Sequence, residues 1–277
     1  MKVVETIEEI KRQRLKLAEP VGFVPTMGYL HDGHLALIER ARAENASVVA
    51  SIFVNPTQFG PQEDLDSYPR DTQHDLAMLE KEGVDIIFIP SVTVMYPTLF
   101  NSWVEVGRVT ERLEGTSRPG HFRGVTTIVN KLFNIIEPTK AYFGQKDAQQ
   151  VIVIKKMVAD LNMNLEVVTC ATVREPDGLA MSSRNTYLNH EERQAAVVLY
   201  QALSLTQQSW LQGKTTAETL RQEMIAHIQK QPLANIDYIS IADAVTSEEL
   251  DEAKSSALVS LSVKIGKTRL LDSVVLD

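Results

Sequence analysis

Apolar side chains fall along this chain in two rhythms. Short, nearly unbroken runs occur at Val21 to Val24, Val48 to Val54, Val84 to Ile89, Ala141 to Phe143 and Leu165 to Thr169. Such runs suit strands buried on both faces. Between them the spacing turns helical. Leu35, Leu37, Ile38 and Ala41 share one face, and Asp71 caps a helix with Leu76 and Leu79 inside and Gly83 past its end. Two further helices run from about Val125 to Ile136 and from about Ala148 to Leu161, and Thr6 with Glu9 opens a short N-terminal one that reaches about Leu17. Strands alternating with helices predict a parallel sheet covered on both sides, with ligands beyond the strands' C-terminal ends.

Two stretches break this rhythm. Residues 91 to 124 read as irregular, with a short strand at Trp103-Val-Glu-Val106 and a loop at Arg118-Pro-Gly-His-Phe-Arg-Gly124. After Val173 the composition shifts. Asn189 with Glu192, and Thr215 with Glu218, open two amphipathic helices. Asp237 to Ala242 and two runs within 257 to 276 alternate as antiparallel strands do. The fold class is therefore α/β, with residues 1–174 forming the sheet domain and residues 175–277 a small α+β domain. The segment from Pro61 to Arg70 is polar and acidic and is expected to be mobile.

Bulk numbers narrow the function classes. The chain has 277 residues, 44% hydrophobic and 23% charged, which is a globular composition. A net charge of −8 argues against a nucleic-acid partner. No apolar run approaches the ~18 residues of a membrane helix, and the N-terminus is too charged for a signal peptide. The single cysteine, Cys170, ends an apolar strand and reads as a buried, inert thiol. A soluble cytoplasmic protein is expected.

The chemistry gathers at the strand ends. Pro25-Thr-Met-Gly-Tyr-Leu-His-Asp-Gly-His34 is a strand breaking into a glycine-bearing turn and feeding a helix. The helix's first N–H groups and its dipole favour an anion there, with His31 and His34 at the mouth and Gly33 letting a ring approach the backbone. The pair reads as a nucleotide-phosphate site, against solvated turn residues or half of a metal site. Gly144-Gln-Lys-Asp147 repeats the theme. Lys146 would bring a charge to phosphate and Asp147 could hold Mg²⁺, directly or through water, although a solvated Lys-Asp pair accounts for the same residues. Gln150 falls one turn on and faces the same mouth. Met181-Ser-Ser-Arg184 offers hydroxyls, backbone donors and a cation to a polyphosphate, and Gln58 and Asn55 offer neutral amides to a carboxylate or hydroxyl. Gly213-Lys-Thr215 and Gly266-Lys-Thr268 lack the earlier glycine of a phosphate-binding loop. No G-x-G-x-x-G follows the first strand, and no Ser elbow is present.

Taken together, residues 25–34 and 181–184 resemble the paired signatures of the HxGH nucleotidyltransferase superfamily. Phe53-Val-Asn-Pro-Thr-Gln-Phe59, Arg118-Pro-Gly-His-Phe-Arg-Gly-Val125 and Phe143-Gly-Gln-Lys-Asp-Ala-Gln-Gln150 narrow the resemblance to the pantothenate synthetase (pantoate–β-alanine ligase) family. It spans the chain, is strong from 21 to 184 and weak beyond. Gln145 departs from the family, which more often has Glu there.

The resemblance implies a Rossmann-like doubly wound sheet whose smaller C-terminal domain covers the active site. It also implies a two-step reaction: pantoate's carboxylate attacks the α-phosphate of MgATP to give pantoyl adenylate and pyrophosphate, and β-alanine then gives pantothenate and AMP. By the family pattern His34 is the principal catalytic group, with His31 and Lys146 beside it. Pro25, Thr26, Met27, Gly28, Tyr29, Leu30, His31, Asp32, Gly33 and His34 would line the ATP site with Gly144, Gln145, Lys146, Asp147, Val173, Met181, Ser182, Ser183 and Arg184. Gln58 and Gln150 would grip pantoate, with Asn55 and Arg118 as further contacts, and Asp147 would meet Mg²⁺. A homodimer with a mobile lid at 61–70 is implied as well. The rivals are another adenylyl- or cytidylyltransferase of the same fold and a non-catalytic nucleotide-sensing module.

Overall fold

The computed structural model describes residues 1–61 and 63–277. Nine strands are present among them: β1 (Lys2–Val4), β2 (Val21–Thr26), β3 (Ser47–Ile52), β4 (Ile86–Phe88), β5 (Lys140–Gly144), β6 (Glu166–Cys170), β7 (Ala234–Asp243), β8 (Ala257–Ile265) and β9 (Thr268–Leu276). The helices are α1 (Ile7–Arg14), α2 (Asp32–Glu44), α3 (Thr72–Lys81), α4 (Val92–Met95), α5 (Glu114–Ser117), α6 (His121–Ile136), α7 (Ala148–Asp160), α8 (His190–Ala195), α9 (Val198–Leu211) and α10 (Ala217–Ile228).

The first six strands make one parallel sheet in the order β1-β4-β3-β2-β5-β6. Alternate residues of each strand feed opposite cores, which is why the runs read as continuously apolar. Phe23, Val49, Phe88 and Phe143 pack with Val125, Leu132 and Ile154 of α6 and α7. Val24, Ala50, Ile87 and Tyr142 pack with Leu37, Ile38 and Leu79 of α2 and α3. Strand order reverses between β2 and β5: the chain leaves β2 toward β3 on one side and leaves β5 toward β6 on the other. A crevice opens at that reversal, beyond the strands' C-terminal ends.

The antiparallel sheet β7-β8-β9 covers α9 and α10 with a core of its own, including Leu199, Leu203, Leu220, Met224, Val259 and Leu261. Side chains tie it to the parallel sheet. Asp272, 2% exposed, accepts a two-pronged bond from Arg174 (2.6 and 3.0 Å), and Ser273 Oγ donates to the carbonyl of Gln145 (2.9 Å).

Four expectations change. Lys2–Val4 adds a sixth parallel strand at the β4 edge; three residues are too few for a periodic signal. Trp103–Val106 is not a strand. The N–H and C=O of Val104 are taken by the hydroxyls of Thr127 and Thr126 on α6, so this extended segment lies on a helix. The 118–124 stretch is loop only to Gly120, whose φ of +84° caps α6, and His121 to Gly124 form the first helical turn. In the C-terminal part three helices stand where two were expected. Asn189 and Glu192 form their reciprocal cap, but Thr216 precedes α10, because the carbonyl of Thr215 is taken by the N–H of Ala253. Of the segment expected to be mobile, Gln62 lies outside the described residues, and the flanking Glu63 and Asp64 carry ion pairs described below.

Candidate active site

The turn after β2 is locked by its own polar groups. Gly28 and Tyr29 both have positive φ, +82° and +54°. Such a pair of left-handed residues needs holding when the second is not glycine. The carboxylate of Asp75 on α3, 1% exposed, does this by accepting from the N–H groups of Tyr29 (2.8 Å) and Leu30 (2.7 Å). Thr26 Oγ1 accepts from Gly28 N (3.2 Å).

At the start of α2 two imidazoles replace the usual capping oxygens. His31 Nδ1 accepts from Gly33 N (3.1 Å), and His34 Nδ1 accepts from His31 N (3.4 Å). A Cβ on residue 33 would come within 2.8 Å of the His31 ring, so this fold-back requires glycine. Of the N–H groups expected to receive the anion, that of Gly33 is spent on the His31 ring, and the N–H of the cap residue His31 goes to His34. Because each Nδ1 accepts, each neutral ring carries its proton on Nε2. The rings stand 4.1 Å apart. Burial, with Lys146 adding to it, pushes the His31 pKa down to about 4; burial, then His31 and Lys146, push that of His34 down to about 3. Both are neutral donors at pH 7. The half-metal-site alternative does not fit the same bonds, since each Nδ1 lone pair is taken by a backbone N–H and each Nε2 carries the ring proton.

The turn after β5 is built differently. Gln145–Asp147 is a single 3₁₀ turn leading into α7, and neither has a side-chain cap. Lys146 leans toward Asp147 at 3.7 Å, and Asp147 is 44% exposed at its side chain. The third contribution crosses from the C-terminal part. Ser182 Oγ accepts from Arg184 N (3.3 Å), and Ser183 Oγ donates to the carbonyl of Tyr29 (3.2 Å), fastening this loop to the β2 turn.

One cleft at the strand-order reversal is lined by Pro25, Thr26, Met27, His31, Gly33 and His34, by Asn55, Gln58 and Arg118, by Gly144, Lys146, Asp147 and Gln150, and by Val173 and Met181 to Arg184. Five stretches far apart in sequence, around 25–34, 55–58, 118, 144–150 and 173–184, converge there. Gly28, Tyr29, Leu30, Asp32 and Gln145 do not line it; Leu30 is 5% exposed and belongs to the core under α2. Asn55 is 1% exposed and fully engaged: it donates to Gln58 Oε1 (3.0 Å) and to Gly124 O (3.1 Å), and accepts from Tyr96 Oη (2.8 Å). The amide of Gln58 rests on Met27 Sδ (3.2 Å).

Sequence reasoning missed Tyr68 and His121 in the cleft wall, Asp75 behind it and two carboxylates above it. Asp64 takes a two-pronged bond from Arg184 (2.9 Å each), and Glu63 takes one from Arg118 (2.8 and 2.6 Å). Acid residues in a polar loop carry no periodic signal. The opposing cations, already singled out, were the available clue. Among the described residues no group of three metal-ligating side chains occurs, and no helix is long and apolar enough to cross a membrane.

Residues 2–275 match the family model described as pantoate-beta-alanine ligase. The pantothenate synthetase of Herpetosiphon aurantiacus is 58% identical over 277 residues, covering all of both chains, and that of Thermotoga petrophila is 53% identical over 279. A crystal structure of pantothenate synthetase from Thermus thermophilus superposes with a TM-score of 0.96 at 46% identity, covering 100% of this chain and 99% of that one. A pantoate-beta-alanine ligase from Francisella tularensis, complexed with beta-gamma ATP and beta-alanine, superposes with a TM-score of 0.83 at 36% identity, covering 99% and 97%.

Proposed function

We propose a division of labour in the cleft that proceeds from one premise: the chain belongs to the pantoate-beta-alanine ligase family. It condenses pantoate with β-alanine in an ATP-dependent reaction. What carries the assignment of roles is the convergence of two neutral imidazoles, an ammonium and a guanidinium on the crevice where a parallel sheet receives ligands.

Pantoate's carboxyl, of pKa about 4, is ionised at pH 7 and needs no general base. One of its oxygens attacks the α-phosphorus of ATP, the bond to the bridging oxygen breaks, and pyrophosphate departs. The amine of β-alanine then attacks the acyl carbon, the acyl–phosphate C–O bond breaks, AMP leaves and the nitrogen sheds a proton. Neither step asks the protein for a nucleophile. Both ask for positioning and for neutralised charge.

His34 and His31 donate through Nε2–H to phosphate oxygens, as fixed dipoles that gain nothing from a change of protonation. Lys146 supplies mobile positive charge, and Ser182, Ser183 and Arg184 bind from the opposite wall. Asp147 offers a hard oxygen to Mg²⁺, which suits an ion that takes one or two carboxylates and draws its other ligands from phosphates and water; when bound, the ion neutralises triphosphate charge. Gln58 and Gln150 hold pantoate, Asn55 holds Gln58, and Arg118 meets a substrate carboxylate. Glu63 and Asp64 sit on the two arginines as protein anions where substrate anions would bind, so loading the cleft exchanges one anion for another.

The same reading places residues 1–174 as the nucleotide-binding domain and 175–277 as its cover, in a cytoplasmic homodimer. The lone Cys170 and the exposed Val92, Leu99 and Trp103 support those last two assignments, which cell fractionation and light scattering test. AMP formed only when ATP, pantoate and β-alanine are all present supports the reaction. AMP formed equally without pantoate contradicts it.

A further inference from the structure

We infer that His121 is a positioning residue for the pantoate end of the cleft, latching Gln58 and Arg118 in one arrangement through a single neutral tautomer. The inference rests on the assignment of Gln58 to pantoate above. His121 opens α6, is 8% exposed and lines the cleft wall. Its Nδ1 lies 2.9 Å from the main-chain carbonyl of Gln58. A carbonyl can only accept, so Nδ1 carries the proton. Nε2 is then left with a lone pair, and Arg118 Nη1 stands 3.1 Å away with a proton to give it. Arg118 Nη2 closes the triangle by donating to the same Gln58 carbonyl at 3.3 Å.

The remaining guanidinium donors are taken by Glu63, and Glu114 stands 3.7 Å from Nη1. Every polar atom of the His121 ring is occupied by protein, so it has none to offer a substrate. Its effect reaches the reaction only through Gln58 and Arg118.

The backbone makes the latch consequential. A Cβ on residue 124 would fall 2.3 Å from the carbonyl oxygen of Thr57, so the first turn of α6 and the Pro56–Gln58 turn pack main chain on main chain. Asn55 pins one end of that turn to Gly124 O and His121 pins the other. Between these pins the Gln58 side chain is aimed at Met27 and the mouth of the β2 turn. Burial, reinforced by Arg118, holds the His121 pKa down at about 4 against the opposing pull of the Gln58 carbonyl and then of Glu114 and Glu63. The ring therefore keeps its lone pair at neutral pH.

Two variants and one spectrum test this. His121→Phe keeps a ring and removes both nitrogens; His121→Asn restores a donor to the Gln58 carbonyl but does not reach Arg118. The expected result for His121→Phe is a rise of about tenfold in KM for pantoate, with KM for ATP within about twofold of wild type, and His121→Asn recovers much of the loss. Unchanged KM for pantoate in a His121→Phe protein that melts like wild type overturns the inference. So does an equal rise in both KM values. The ¹⁵N spectrum of wild type at pH 7 is expected to show a protonated Nδ1 and an unprotonated Nε2 for His121; the reverse tautomer overturns the latch even if the variants do not fold. Gln58→Ala, measured in parallel, separates the two readings: unchanged KM for pantoate there removes Gln58 from the pantoate site while the ¹⁵N result still decides the latch.

Discussion

Two strand-to-helix turns flank the same crevice, and they are built on opposite plans. The turn between β2 and α2 spends its polar groups on itself: Asp75 clamps Tyr29 and Leu30, and two imidazoles cap the helix. What it presents is a pair of neutral Nε2–H donors with little freedom. The turn between β5 and α7 has no side-chain cap and presents Lys146, an ammonium on a flexible stem. A phosphoryl group changes both shape and charge as it reacts, and in the roles proposed above one wall fixes geometry while the other supplies charge. A capped turn and an uncapped one are thus two versions of the same supersecondary unit.

Removing the working group of either wall is expected to have the largest effect. His34→Ala and Lys146→Ala should each lower kcat on the order of 10²-fold, as for loss of a transition-state donor. Their stabilities should differ. His34→Ala loses a cap and should cost roughly 0.5–2 kcal/mol, whereas Lys146→Ala, whose ion-pair partner is Asp147 at 3.7 Å, should melt close to wild type. Kinetic assays with thermal melts check both, and equal melting of the two variants would erase the distinction between the walls.

Next in size is Asp75→Asn. It sets an amide against two N–H donors at a site 1% exposed, and should cost about 1–3 kcal/mol with a roughly tenfold fall in kcat, read by denaturant unfolding and steady-state rates. A stable variant with full kcat would show that the clamp is idle. Gln150→Ala should act on pantoate alone, raising its KM while KM for ATP stays put; unchanged pantoate saturation would remove Gln150 from that role.

The pH profile sharpens the comparison further. With pKa values near 4 and 3 against an ordinary 6.5, His31 and His34 stay neutral when folded and charge readily when unfolded. Their contribution to stability is present above about pH 6.5 and is lost as pH falls toward 4 and 3. Between about pH 5.5 and 8 the kcat/KM for ATP should show no imidazole inflection. A break near 6.5 that His34→Ala removes would mean a charged donor. The smallest effect belongs to Asp64→Asn, which frees Arg184 of a protein anion and should lower KM for ATP by no more than about threefold, since a pair whose side chains keep 28% and 22% of their surface exposed is screened by water and contributes little.

How much of this could be read from the chain follows the same division. β2, β3 and β5 were legible because burial on both faces forces apolar runs, and the signature loops because histidine, lysine and arginine at strand ends are chemically conspicuous. Asp75 was not, because an acid in the first turn of a helix is ordinary until a left-handed turn 45 residues away is seen to need it. His121 was hidden behind Pro119 and Gly120, which read as loop although Gly120 only caps α6. Trp103 to Val106 alternate like a strand but meet a helix, and pairing partners are not written in a single segment.

The most direct test of a shared triphosphate site is pantoate-dependent exchange of labelled pyrophosphate into ATP, measured without β-alanine. Wild type should exchange only when pantoate is present, and His34→Ala and Lys146→Ala should each reduce that exchange on the order of 10²-fold. Exchange that proceeds without pantoate, or that survives both substitutions, would contradict the account.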